Sequence, residues 1–303
     1  MKCSRIEWRI ALRRGVLAAT LAAAAGGATA TENGGSIYPM GAENYMTGAL
    51  PPPGLYGMVF LNRYEADSLR DNNGNRVPLD FSVHANAISP RLVWVPGVKV
   101  LGGDVVLHTI LPLVNLRVQA GNASQTKTGI GDMVFGTGLG YHYSENLHAV
   151  FGVDVFAPTG QYNKNDLAKI GRNYWAVQPL ANFTYVDPTG LNADIKAMYT
   201  YNFKNPATNY KSGQEFHFDY ALGWGVGGGW VLGAGGYAYW QVSDDKVNAQ
   251  TVPDNKGRAF AIGPSLKYDS GKGWFVTAKW QKELGVRNRA QGNAFWVKVV
   301  FPL

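Results

Sequence analysis

The sequence predicts an all-β fold, a transmembrane antiparallel β-barrel of about 12 strands, on the strength of three observations. From Gly54 to Leu303, segments of roughly ten residues alternate apolar with polar or small positions, the period of a strand with two unlike faces. Phe216, Phe218, Tyr220, Leu222, Trp224 and Val226 are the clearest run, set against His217, Asp219, Ala221, Gly223 and Gly225. The breaks between segments are alternately tight and long, as a barrel with turns at one rim and loops at the other requires. Trp230 and Trp240 lie ten residues apart on one face. At about 3.3 Å per residue and a tilt near 40°, that spacing is roughly 25 Å, the height between two interfacial girdles.

The elements follow in order. Lys2, Arg5, Arg9, Arg13 and Arg14 precede an apolar run from Gly15 to Ala25 and the small residues Ala28-Thr29-Ala30, so residues 1–30 read as a signal peptide. The run is far short of the roughly 20 residues of a spanning helix. Cleavage after Ala30 removes the only cysteine, Cys3, and leaves no thiol chemistry. Losing those five basic residues together with Glu7 lowers the formal charge from +7 to +3, so the basic pI gives no argument for nucleic acid as a partner. Residues 31–53 show no alternation but carry Tyr38, Met40, Tyr45 and Met46 before Pro51-Pro52-Pro53. They are expected to form either a plug in the bore or a periplasmic tail.

Residues 54–303 form the barrel, with strands expected at 54–65, 80–95, 104–118, 130–143, 147–157, 174–186, 191–203, 214–226, 229–242, 258–269, 273–284 and 293–302. Tight breaks fall at Pro96 to Gly103, Ser144 to Asn146, Asp187 to Gly190, Gly227-Gly228 and Ser270 to Lys272; the others are taken as long loops. An even strand number places both termini in the periplasm. Pro90, Pro112, Pro179 and Pro264 fall inside expected strands and predict bulges or register shifts. The ordinary mean hydropathy does not argue against a membrane, because a barrel commits every second residue to lipid while glycine and aromatic content rise, here to 38 Gly and 13% aromatic. The loop from Pro158 to Asn173 is expected over the mouth or at the surface.

If the aromatic rows face lipid, then Asp194, Lys196, Glu215, His217, Asp219, Lys267, Lys279, Gln281, Glu283 and Lys298 line the lumen. Their mixed signs predict mutual pairing that nearly closes the bore or leaves a narrow polar path. The glycine runs at Gly136-Thr-Gly138-Leu-Gly140 and Gly223 to Gly229 are read as lumen positions that leave room for other side chains, since no helix follows to present a phosphate site. His84, His108, His142, His148 and His217 show no pair at metal-ligand spacing, and no serine, histidine and acid come together by strand register. Neither a metal, a cofactor nor a catalytic residue is therefore assigned.

Thr128-Gly-Ile-Gly-Asp132, Ala157-Pro-Thr-Gly-Gln-Tyr162, the stretch from Asn205 to Gly213 and Ala261-Ile-Gly-Pro264 occur in the order found in the outer-membrane proteins named for the meta-pathway of phenol degradation. The chain resembles that family through most of its length. The resemblance implies a passive outer-membrane channel for small hydrophobic or aromatic compounds. A non-transporting barrel, enzymatic or structural, is the competing expectation. The expected partners are the lipid bilayer, small hydrophobic solutes and, from the near-terminal Phe301, the outer-membrane assembly machinery.

Overall fold

The computed structural model describes residues 31–303, so the signal peptide expected over 1–30 lies outside the described residues. The strands are β1 (Gly54–Leu69), β2 (Phe81–Val95), β3 in two pieces (Gly103–Ile110 and Leu113–Ala120), β4 in two pieces (Ala123–Ile130 and Met133–His142), β5 (Leu147–Ala157) and β6 (Ala176–Tyr185). They continue with β7 (Leu191–Asn202), β8 (Glu215–Gly227), β9 (Trp230–Gln241), β10 (Arg258–Asp269), β11 (Phe275–Arg287) and β12 (Ala290–Pro302). Each pairs antiparallel with the next, and β12 closes on β1 from Tyr56↔Pro302 to Leu69↔Ala290. Closure leaves no row of unpaired backbone groups facing lipid.

Alternation decides which face is which. Along β8, Phe216, Leu222, Trp224 and Val226 are exposed, whereas Glu215, His217, Asp219 and Ala221 are buried. Exposed Trp94, Trp224, Trp230 and Trp274 gather at the rim of the short turns, and Trp175 and Trp240 stand at the other rim. This is the outward apolar band with aromatic girdles of an outer-membrane barrel.

Three expectations need correction. Residues 119–129 are no loop, because β3 turns into β4 at Gly121-Asn122. The hairpin so formed has outward Asn115, Arg117, Ser124, Thr126 and Thr128; it rises beyond the apolar band, where apolar periodicity no longer marks a strand. The turn from β11 to β12 at Asn288-Arg289 is likewise short, so the alternation of short and long connections is incomplete. The prolines also act differently from one another. Register between β3 and β4 slips by one residue, from Leu113↔Ile130 to Ile110↔Val134, where Pro112 can donate no ladder bond and Gly131 N reaches Pro112 O instead (2.8 Å). At Pro179 and Pro264 rungs are missing but the register is unchanged.

At the long-loop rim, Lys204–Asn205, Tyr210–Lys211, Asp245–Val247 and Gln250–Val252 form a small four-stranded sheet. Buried Asp245 gathers its parts, accepting from Tyr210 Oη (2.7 Å), Gly213 N (2.7 Å), Gln241 Nε2 (2.9 Å) and Asn255 Nδ2 (2.6 Å). It also accepts from Thr31 N (3.1 Å). Thr31 therefore stands at the rim opposite the one where β12 ends, although β1 begins and β12 ends at the same rim.

Candidate functional site

The inward rows converge on residues 31–50, which run from the long-loop rim toward the short-turn rim inside the ring of strands. Tyr38, Met40, Glu43, Asn44 and Tyr45 are all buried there. Asp219 on β8 accepts from Tyr38 Oη (2.7 Å), Gly41 N (2.9 Å) and Glu43 N (2.9 Å). Lower down, Asp194 on β7 accepts from Thr47 N (3.0 Å) and Thr184 Oγ1 on β6 accepts from Gly48 N (2.8 Å). A segment without helix or strand has no internal ladder, so its backbone donors must find partners on the wall. The inward carboxylates and hydroxyls supply them.

Glu43 is the charged centre. Its carboxylate lies 3.0 Å from Lys298 Nζ, 3.1 Å from Arg91 Nη1 and 3.9 Å from Lys196 Nζ. Lys279 Nζ donates to Glu43 O (2.7 Å), and Lys298 Nζ also donates to Tyr45 O (3.0 Å). Burial by itself would raise the Glu43 pKa, but Lys298, Lys196 and Arg91 outweigh it and hold the carboxyl well below the ordinary carboxylate range.

All ten inward residues named from the sequence are buried. Asp194, Asp219, Lys279, Gln281 and Lys298 bond the segment directly, Gln281 through Met40 O (3.4 Å). Lys196 lies over the Tyr38 ring, and the His217 ring stands 5.0 Å from it. Glu283 accepts from Tyr64 Oη (3.0 Å) and Tyr237 Oη (2.5 Å), and Glu215 accepts from Tyr239 Oη (3.2 Å), so these two fill the long-loop half of the bore with tyrosine. Lys267 is buried on β10, away from Glu43's immediate partners.

Below the segment, toward the short-turn rim, a cavity of about 340 Å³ opens. Met58, Val93, Val106, Val150, Leu180 and Val300 supply apolar walls, and Arg91, His108, Asp154, Lys196 and Lys298 meet Glu43 at its head. The sequence reading missed Glu43, Arg91, His108 and Asp154. Each is a single charged or titratable residue among apolar inward neighbours, and register alone brings them together. His108, Gly136 and Asp154 occupy one rung across β3, β4 and β5, and His108 Nε2 meets Asp154 Oδ1 at 2.9 Å. His142 and His148 also pair, Nδ1 to Nδ1 at 2.7 Å, because the tight turn sets them opposite; that six-residue spacing went unweighted in the sequence. Among the described residues no group of three or more metal-ligating side chains gathers.

The inward glycines make room for specific groups. A Cβ at Gly136 would strike His108 Nε2 and Asp154 Oδ1, one at Gly140 would strike Leu50, and one at Gly223 would strike Tyr45 Oη.

A family described as "Putative MetA-pathway of phenol degradation" matches residues 66–299. Among solved structures, an outer membrane channel from Pseudomonas putida F1 is similar at 20% identity and a TM-score of 0.73, over 85% of this chain and 98% of that one. The translocator domain of the autotransporter NalP from Neisseria meningitidis is similar at 11% identity and a TM-score of 0.53, over 84% of this chain and 90% of that one. At these identities the likeness is one of fold. The sequence finds no match among curated proteins.

Proposed function

The chain belongs to the family of the putative MetA-pathway of phenol degradation, and from that premise we propose that this outer-membrane barrel is a passive channel for small hydrophobic or aromatic compounds, gated by residues 31–50. The single observation that carries the reading is the half-open bore: an apolar cavity of about 340 Å³ on one side of Glu43, and a lumen filled by the segment and buried tyrosines on the other. The volume suits a small ligand, and the walls favour an apolar one. The partners are the lipid bilayer around the wall and the solutes within it, with assembly machinery for insertion. The inward row of Asp194, Lys196, His217, Asp219, Lys279, Gln281 and Lys298 acts in this reading as the seat of the segment and not as a polar path.

The enzymatic alternative finds less support. No serine lines the cavity around the His108–Asp154 pair. The protein reconstituted in lipid vesicles should pass toluene or benzene measurably faster than protein-free vesicles do, and should exclude glucose. Equal flux of the two solute classes would overturn the proposal.

A further inference from the structure

Resting on that channel reading, the geometry points to a binding site for a neutral hydroxylated aromatic in the cavity below Glu43, its ring among the valines and its hydroxyl between His108 and Arg91. The site is built around the rung His108, Gly136, Asp154. Only a glycine at the middle position lets the histidine and the carboxylate meet across it, since a Cβ there would collide with both. The His108 and Asp154 side chains are 6% and 5% exposed, yet both residues line the cavity.

Two buried polar atoms at the cavity head have no partner: His108 Nδ1 and Arg91 Nε. Their chemistry defines what is missing. Asp154, with Lys196 Nζ at 4.0 Å from Oδ2, is a carboxylate and accepts, so His108 must donate from Nε2. In the neutral ring Nδ1 is then an acceptor, while Arg91 Nε–H is a donor whose Nη1 is already held by Glu43. Arg91 and His108 are diagonal neighbours across β2 and β3, because Val93 is the residue opposite His108. One hydroxyl satisfies both, its O–H donating to Nδ1 and its oxygen accepting from Nε–H.

A hydrocarbon leaves both atoms unpaired in a dry site, which is costly. A carboxylate sets its lone pairs against Nδ1 and lies beside Glu43 and Asp154. A phenolic hydroxyl, with a pKa near the roughly 10 of tyrosine, is neutral and a good donor.

The test uses the full mature chain in detergent micelles and three probes observed by 19F NMR: 4-fluorophenol, fluorobenzene and 4-fluorobenzoate. Saturable binding is expected for 4-fluorophenol, at least about tenfold tighter than for the other two. His108→Phe, which keeps a ring, and Arg91→Lys, which keeps the charge on Glu43 but lacks Nε–H, should each erase that preference while leaving the heat-modifiable gel mobility of the barrel unchanged. Equal binding of 4-fluorophenol and fluorobenzene, or a preference that survives His108→Phe in a folded barrel, would overturn the site. Fluorobenzene flux through the same variants keeps the two readings apart: lost selectivity with intact flux sinks the site alone, and selective binding without any flux sinks the channel alone.

Discussion

Leu222 and Gly223 are neighbours in sequence with opposite surroundings. Leu222 is 57% exposed on the lipid face of β8, so Leu222→Arg should cost roughly 2 to 4 kcal/mol in refolding into lipid. Gly223 faces inward, where the sequence suggests tolerance, but it holds the space into which Tyr45 Oη fits. Gly223→Ser should therefore leave the barrel folded and loosen the segment, read as raised solute flux. Glu43→Gln is the sharper change at this scale. Arg91 and Lys298 lose a buried counter-charge, and seating of the segment should weaken by about 3 kcal/mol. The pH dependence follows from the depressed Glu43 pKa. The stabilisation is complete above the free value of about 4.3 and is lost only as pH falls through the lower, seated one. Flux should be flat from about pH 8 to about pH 5 and rise only well below about pH 4; a rise near neutral pH would count against Glu43 as the anchor. The ten lumen residues were legible because charge in every second position is a local pattern. His108, Gly136 and Asp154 were not, since they are far apart in sequence and only strand register sets them on one rung.

At the scale of elements, strands with one apolar and one polar face declared themselves, and β7 to β12 lie within a few residues of their expected bounds. The upper halves of β3 and β4 did not, because above the lipid band both faces are polar and no period survives. Residues 31–50 are legible only in part. Their apolar side chains suggest shelter, but nothing local shows that the wall supplies their hydrogen bonds. Asp245 ties the first of them to the loop sheet, and burial raises its carboxyl pKa while every donor listed above reaches it from a neutral group. Asp245→Asn loses the stronger acceptor and turns one oxygen into a donor facing donors, a cost of about 2 kcal/mol. Faster hydrogen exchange at Thr31 and Gly213, with unchanged exchange in β1 to β12, is the expected result. Uniformly faster exchange through the barrel would show that Asp245 supports the wall and not the segment.

The whole molecule is a closed wall around a seated segment, and the two can be separated. Closure through the β12–β1 pair gives a barrel that should resist detergent and run anomalously on gels until heated. Its contacts with residues 31–50 are side chain to backbone, so removing the segment breaks no strand pairing. The most direct measurement is toluene flux into vesicles carrying the protein with residues 31–48 deleted, beside the intact chain at equal protein density. The proposed gate requires a several-fold higher flux from the deleted form, with heat-modifiable mobility retained. Equal flux from a folded, deleted barrel would contradict it.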